Sequence, residues 1–122
     1  MRRAVHVYRT ENAEADLDAI AAYYGTINPA ATLAILDAVA RTQGLLAEHP
    51  FVGRPGKVPG TREAVVVGTA FILVYVPSAD AVTIVKVLDS RSQWPAANDD
   101  LGQWLVREAP QDRYALRTAA GL

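Results

Sequence analysis

Cysteine is missing from this chain of 122 residues, which excludes disulfide bonds and cysteine-based metal sites and fits a reducing cytoplasm. Histidine is scarce. His6 sits in an alternating run and His49 directly before Pro50, neither with a partner at catalytic or metal-ligand spacing, so both are read as structural and neither a metal centre nor a cofactor is expected. No run approaches the ~18 apolar residues needed to cross a bilayer. Met1-Arg2-Arg3 leads into a stretch broken by His6, Arg9 and Glu11 rather than into a signal-type apolar segment. A soluble cytoplasmic protein with no membrane partner is the expectation. A basic excess is lacking too: the net charge is −1, whereas domains that bind nucleic acid through its phosphates carry a surplus of Lys and Arg. Direct nucleic-acid binding is therefore not expected, although Arg54, Lys57 and Arg62 gather in one loop, with Lys86 and Arg91 further on.

What the chain does have is apolar residues, 51% of the total, enough at this length for one domain with one modest core. Val5 to Tyr8 alternates as a short strand does. Thr10 is placed to cap a helix whose first turn holds Glu11 and Glu14, and Ala13, Leu17, Ile20, Ala21 and Tyr24 form its apolar stripe, ending near Gly25. Asn28-Pro29 starts a second helix that buries Ile35, Leu36, Val39 and Leu46 and stops before Pro50. Gly44 marks a weak point or a close contact within it. Ala64–Val67, Phe71–Val76 and Val82–Leu88 are β-rich and separated by short turns, which favours antiparallel hairpins. The order β-α-α-β-β-β implies an α+β fold, a small antiparallel sheet against a helical hairpin.

Composition changes beyond Pro95. Residues 1–95 are read as the domain and 96–122 as a C-terminal extension, in which Asn98-Asp99-Asp100 caps a short helix bearing Leu101, Trp104 and Leu105 until Pro110 ends it. No period marks residues 111–122.

Gly53-Arg54-Pro55-Gly56-Lys57-Val58-Pro59-Gly60-Thr61-Arg62-Glu63 is the most distinctive segment. Its glycines make positive φ available at Gly53, Gly56 and Gly60, while Pro55 and Pro59 fix φ, so the backbone path is narrow. Followed by Tyr75, by Val85-Lys86-Val87-Leu88 and by Gln93-Trp94-Pro95, this loop resembles the RelE/ParE superfamily of bacterial toxins, most closely its ParE branch. The resemblance spans Val5 to Pro95. It implies a type II toxin–antitoxin system: a non-enzymatic toxin that binds DNA gyrase and is silenced in a hetero-oligomer by a ParD-like antitoxin folding on contact. Two other functions stay open, a RelE-like ribosome-dependent messenger-RNA endonuclease and a decayed toxin kept as an antitoxin-binding module.

The endonuclease alternative assigns Arg62, in Gly60-Thr61-Arg62-Glu63, and Lys86 to the superfamily's basic catalytic positions. Cleavage by a 2′-hydroxyl needs a base, cationic stabilisation of the phosphorane and an acid for the leaving oxygen. Where many superfamily members carry a histidine after the last strand, this chain has Asp89-Ser90-Arg91-Ser92. An aspartate of ordinary pKa is ionised at neutral pH and is a poor proton donor. The plainer roles are that Arg62 pairs with Glu63 or another carboxylate to fix the loop, that Lys86 lays its stem along the sheet, that Trp94-Pro95 is a packing anchor, that the tyrosines edge the core, and that Asp16, Asp18 and Asp37 only add solubility. Arg54, Lys57, Arg62, Arg91 and Trp94 are the binding or loop-shaping candidates.

Overall fold

The computed structural model describes residues 4–92. The first strand, β1 (His6–Arg9), runs straight into helix α1 (Glu11–Ile27) because Thr10 serves both elements. Its amide donates to the Ile84 carbonyl at 3.0 Å, and its hydroxyl accepts from the Ala13 amide at 3.2 Å, satisfying an otherwise orphaned helix donor. Glu11 and Glu14 stand in the first turn, where the helix dipole favours negative charge. The helix continues two residues past Gly25, which lies in open surroundings, its notional Cβ 4.0 Å from the nearest atom.

Asn28 decides the turn. Its amide closes α1 on the Tyr24 carbonyl, and its side-chain oxygen accepts from the Ala31 amide to open helix α2 (Pro29–Glu48), with Pro29 at the first helical position. Gly44 meets nothing within 4 Å, so it is a locally weak position and not a close contact. The helix stops before Pro50.

Four strands follow: β2 (Arg54–Pro55), β3 (Arg62–Val65), β4 (Phe71–Pro77) and β5 (Ala81–Asp89). The sheet order is β1-β5-β4-β3-β2. The α+β layout is the expected one, and β2 to β5 pair antiparallel. One pairing departs from the antiparallel expectation: β1 lies parallel to β5, His6 opposite Ala81 and Arg9 opposite Ile84. No hairpin links these two strands, so their direction is set by the intervening helices and not by a turn. The loop also contributes a short strand of its own, and β3 starts earlier and ends earlier than its apolar run, because Val66 enters a turn through Gly68, whose φ is +85°.

Ala13, Leu17, Ile35, Val39 and Leu46 of the hairpin meet Leu73, Tyr75, Val82, Ile84 and Val87 of the sheet in the main core. A smaller cluster joins Val58 to Val74 and Val85. Residue Val85 is the extra one of a bulge, since Tyr75 pairs with Ile84 and Val74 with Lys86. The bulge lets Ile84 and Val87 both join the main core while Val85 joins the second cluster.

Candidate functional site: the basic loop and the end of the last strand

The loop from Phe51 to Arg62 is tied to the sheet by a few directional contacts. The Gly53 amide donates to the Tyr75 hydroxyl at 2.9 Å, and Tyr75 is wholly buried, not an edge residue. Burial pushes its hydroxyl pKa up, against the opposing pull of the Gly53 hydrogen bond and the Arg62 charge. A Cβ on Gly53 would stand 2.6 Å from that hydroxyl and 2.7 Å from the Glu63 carbonyl; one on Gly56 would collide with the Thr61 side chain. Close approach is thus what requires these two glycines. Of the three loop glycines only Gly60 has positive φ, +87°. Thr61 closes the far side, its hydroxyl donating to the Val58 carbonyl at 2.6 Å, while Val58 is fully buried.

Arg62 shapes the loop differently from the expected carboxylate pair. Its guanidinium donates to the Gly53 carbonyl at 2.7 Å and the Phe51 carbonyl at 3.1 Å, and lies 5.5 Å from the Phe51 ring centre. Glu63 belongs to Arg54 instead, whose Nη2 is 2.9 Å and Nε 3.0 Å from the same carboxylate oxygen. Glu63 is only 8% exposed, so this contact neutralises a buried charge that would otherwise be costly. Lys57 is exposed at the loop surface.

Lys86 does not lie free along the sheet. Its Nζ is 3.3 Å from Asp16 Oδ1, and Asp16 Oδ2 accepts from the Val87 amide at 2.9 Å. Asp16 is therefore not a simple solubilising charge. The cause lies in the topology: β1 stops pairing at Ile84, and Thr10 and Asp16 take up polar groups of β5 from there on, the Thr10 hydroxyl donating to the Val85 carbonyl. Asp18 is exposed, and Asp37 forms an exposed pair with Arg41 one helical turn away.

At the end of β5, Asp89 accepts from the backbone amide of Arg91 at 2.8 Å and from its guanidinium at 2.9 and 2.6 Å. Those hydrogen bonds lower the Asp89 pKa to about 2 and raise that of Arg91. Trp94 and the extension 96–122 lie outside the described residues. Arg62 thus turns to the loop and Lys86 to α1, each held by its own contact. No group of three His, Cys, Asp or Glu residues that could hold a metal is present among the described residues, and none of their helices is long and apolar enough to cross a membrane.

Among the described residues, two helices and a five-stranded mixed sheet carrying a braced basic loop make an α+β fold of the ParE type. The family model described as "ParE toxin of type II toxin-antitoxin system, parDE" matches residues 7–94, and the chain belongs to that family. A candidate toxin of Sinorhizobium fredii (strain NBRC 101917 / NGR234), Y4kP, is 37% identical over 79 residues, which is 65% of this chain and 81% of Y4kP. Among solved structures, a chain of the chromosomal ParDE system from P. aeruginosa superposes with a TM-score of 0.63 at 25% identity, covering 70% of this chain and 96% of that one.

Proposed function

We propose that this ParE-family toxin acts in the cytoplasm by binding DNA gyrase, without cutting nucleic acid, and that a ParD-like antitoxin holds it silent. The observation that supports the proposal is the engagement, among the described residues, of the basic side chains that the endonuclease alternative assigns and of the aspartate at the end of β5. Arg62 is spent on two loop carbonyls, Lys86 on Asp16, and Asp89, with its pKa near 2, holds no proton to donate at neutral pH. A cation already bonded to backbone oxygens stabilises a phosphorane poorly, since those bonds must first break.

The antitoxin's side of the proposal rests on exposed apolar residues of the hairpin. Tyr23, Ile27, Leu33 and Leu45 stand 62%, 63%, 71% and 47% exposed, away from the sheet-facing stripe. A segment that folds on binding can cover such a surface. The purified chain is expected to inhibit gyrase supercoiling or trap cleaved DNA, to leave messenger RNA intact on ribosomes, and to lose both gyrase effects on addition of the antitoxin. Site-specific cleavage of ribosome-bound message by the wild-type chain, absent from an Arg62→Ala variant, would replace this proposal with the endonuclease.

A further inference from the structure

Only one face of the sheet carries the helices. Ala64 and Val66 enter the main core beneath the hairpin, so their neighbours Glu63 and Val65 point to the opposite side. Glu63 stands between Arg54 on β2 and Val74 on β4, and Val58 packs on Val74 and Val85, which lays the loop over that same face. We propose that this side of the molecule, centred on Arg54, Lys57, Val65 and Val67, is the surface that grips the toxin's target, and that the target presents an acidic protein segment bearing apolar side chains. The inference rests on the gyrase reading above and adds the contact surface to it.

Charge sets the sign of the partner. From Pro50 to Ala70 the chain holds Arg54, Lys57 and Arg62 against one carboxylate, Glu63, while the whole chain has a net charge of −1. Glu63 is taken by Arg54, and the exposed Lys57 has no ion-pair partner among the described residues. A basic surface on an otherwise acidic protein attracts an acidic partner and disfavours a basic one.

Apolar area sets the partner's kind. Val65 is 56% and Val67 79% exposed, while Ala64 and Val66 beside them are buried. Single exposed apolar residues are ordinary on a soluble protein; two valines flanked by two cations on one side have the make-up of a protein contact, an apolar centre with a charged rim. Phosphate recognition makes no use of such side chains, whereas a protein segment can cover them.

The surface is also shaped in advance. The Gly53 amide on Tyr75, the Thr61 hydroxyl on the Val58 carbonyl and the close approach of Gly56 to Thr61 hold the loop, so little conformational freedom is left to lose on docking. The exposed apolar residues of the hairpin belong to the helical layer across the sheet, which keeps this surface distinct from theirs.

The test uses the full-length chain and purified gyrase. Lys57→Glu, a change at one exposed loop side chain, should raise the toxin concentration for half-inhibition of supercoiling about tenfold, and the double variant Lys57→Glu, Val67→Ser should raise it further. Arg41→Glu makes the same charge change on the exposed surface of α2 and should leave inhibition unaltered. Hydrogen exchange of the wild-type chain should show new protection across residues 54–67 when gyrase is added, a readout that needs no variant to fold. Wild-type inhibition matched by the folded double variant would overturn this surface and leave the gyrase reading standing, as would protection confined to the hairpin. Equal losses in Lys57→Glu and Arg41→Glu would also overturn it, by reducing the effect to net charge. A wild-type chain without effect on gyrase would remove both the reading and the surface. Binding of the wild-type chain to duplex DNA without gyrase, abolished by Lys57→Glu, would give the face to nucleic acid instead.

Discussion

The helical hairpin and the Phe51–Arg62 loop are fastened to the same sheet by different physics. Six apolar residues of the hairpin are at least nine-tenths buried in the core they share with the strands, and the starts of its two helices are closed locally by Thr10 and Asn28. The attachment is a matter of area, distributed over many weak contacts. The loop sinks one apolar anchor, Val58, and otherwise depends on individual atoms: the Tyr75 hydroxyl, two carbonyls under Arg62, and the absence of a Cβ at Gly53 and Gly56. Directional attachment of this kind leaves Arg54 and Lys57 at the surface in a defined shape, which area burial could not do without hiding them.

The contrast makes graded predictions. Leu46 is fully buried, so Leu46→Ala should lower unfolding free energy by about 3 kcal/mol, read in urea, while leaving the loop's hydrogen exchange pattern intact once corrected for global stability. Gly53→Ala should cost about 2 kcal/mol although it adds one methyl group and removes nothing. A neutral effect on stability would show that the loop yields more freely than its contacts imply. Tyr75→Phe deletes a single oxygen and strands the Gly53 amide; a loss of about 1.5 kcal/mol is expected, with faster exchange at Gly53 and unchanged exchange in α2.

Reversal of sign gives a sharper test. Gly44→Ala in the exposed helix interior, with nothing within 4 Å, should stabilise by about 0.8 kcal/mol. Glycine-to-alanine changes in hairpin and loop would then move in opposite directions. Equal signs would break the comparison.

The smallest effect is that of the Asp89–Arg91 clamp, an exposed contact screened by solvent. Its folded pKa of about 2 lies below the ordinary 3.8, so the contribution is complete above about pH 4 and is lost as pH falls through about 2. The Asp89 carboxyl resonance should titrate with its midpoint near 2, and near the ordinary value in Arg91→Ala. An ordinary midpoint in the wild-type chain would show the clamp to be open in solution.

Much of the architecture was legible because it is written in short-range chemistry. Thr10 and the Asn28-Pro29 pair are cap signals that act within four residues, and the apolar stripe through Leu17 and Val39 follows helical period. The basic side chains were legible as candidates and not in their partners. Sequence proximity points Arg62 at Glu63, yet neighbours along a strand project to opposite faces, and Glu63 pairs across to Arg54. Asp16 carried no signal at all, since its partners lie 70 residues on or more.

The sequence by itself therefore determined the helices and their ends, the three β-rich runs of the second half, the braced character of the loop and the family to which the chain belongs. Capping, periodicity and restricted φ are properties of a few consecutive residues. Tertiary structure alone decided that β1 lies parallel to β5, that Gly53 and Gly56 are needed for contact and not for φ, and that Arg62 and Lys86 are committed to loop carbonyls and to Asp16. These depend on groups that no local rule pairs, from Gly56 against Thr61 within the loop to Lys86 against Asp16 across the fold, and their meeting is fixed only when the sheet and its helices close on one core.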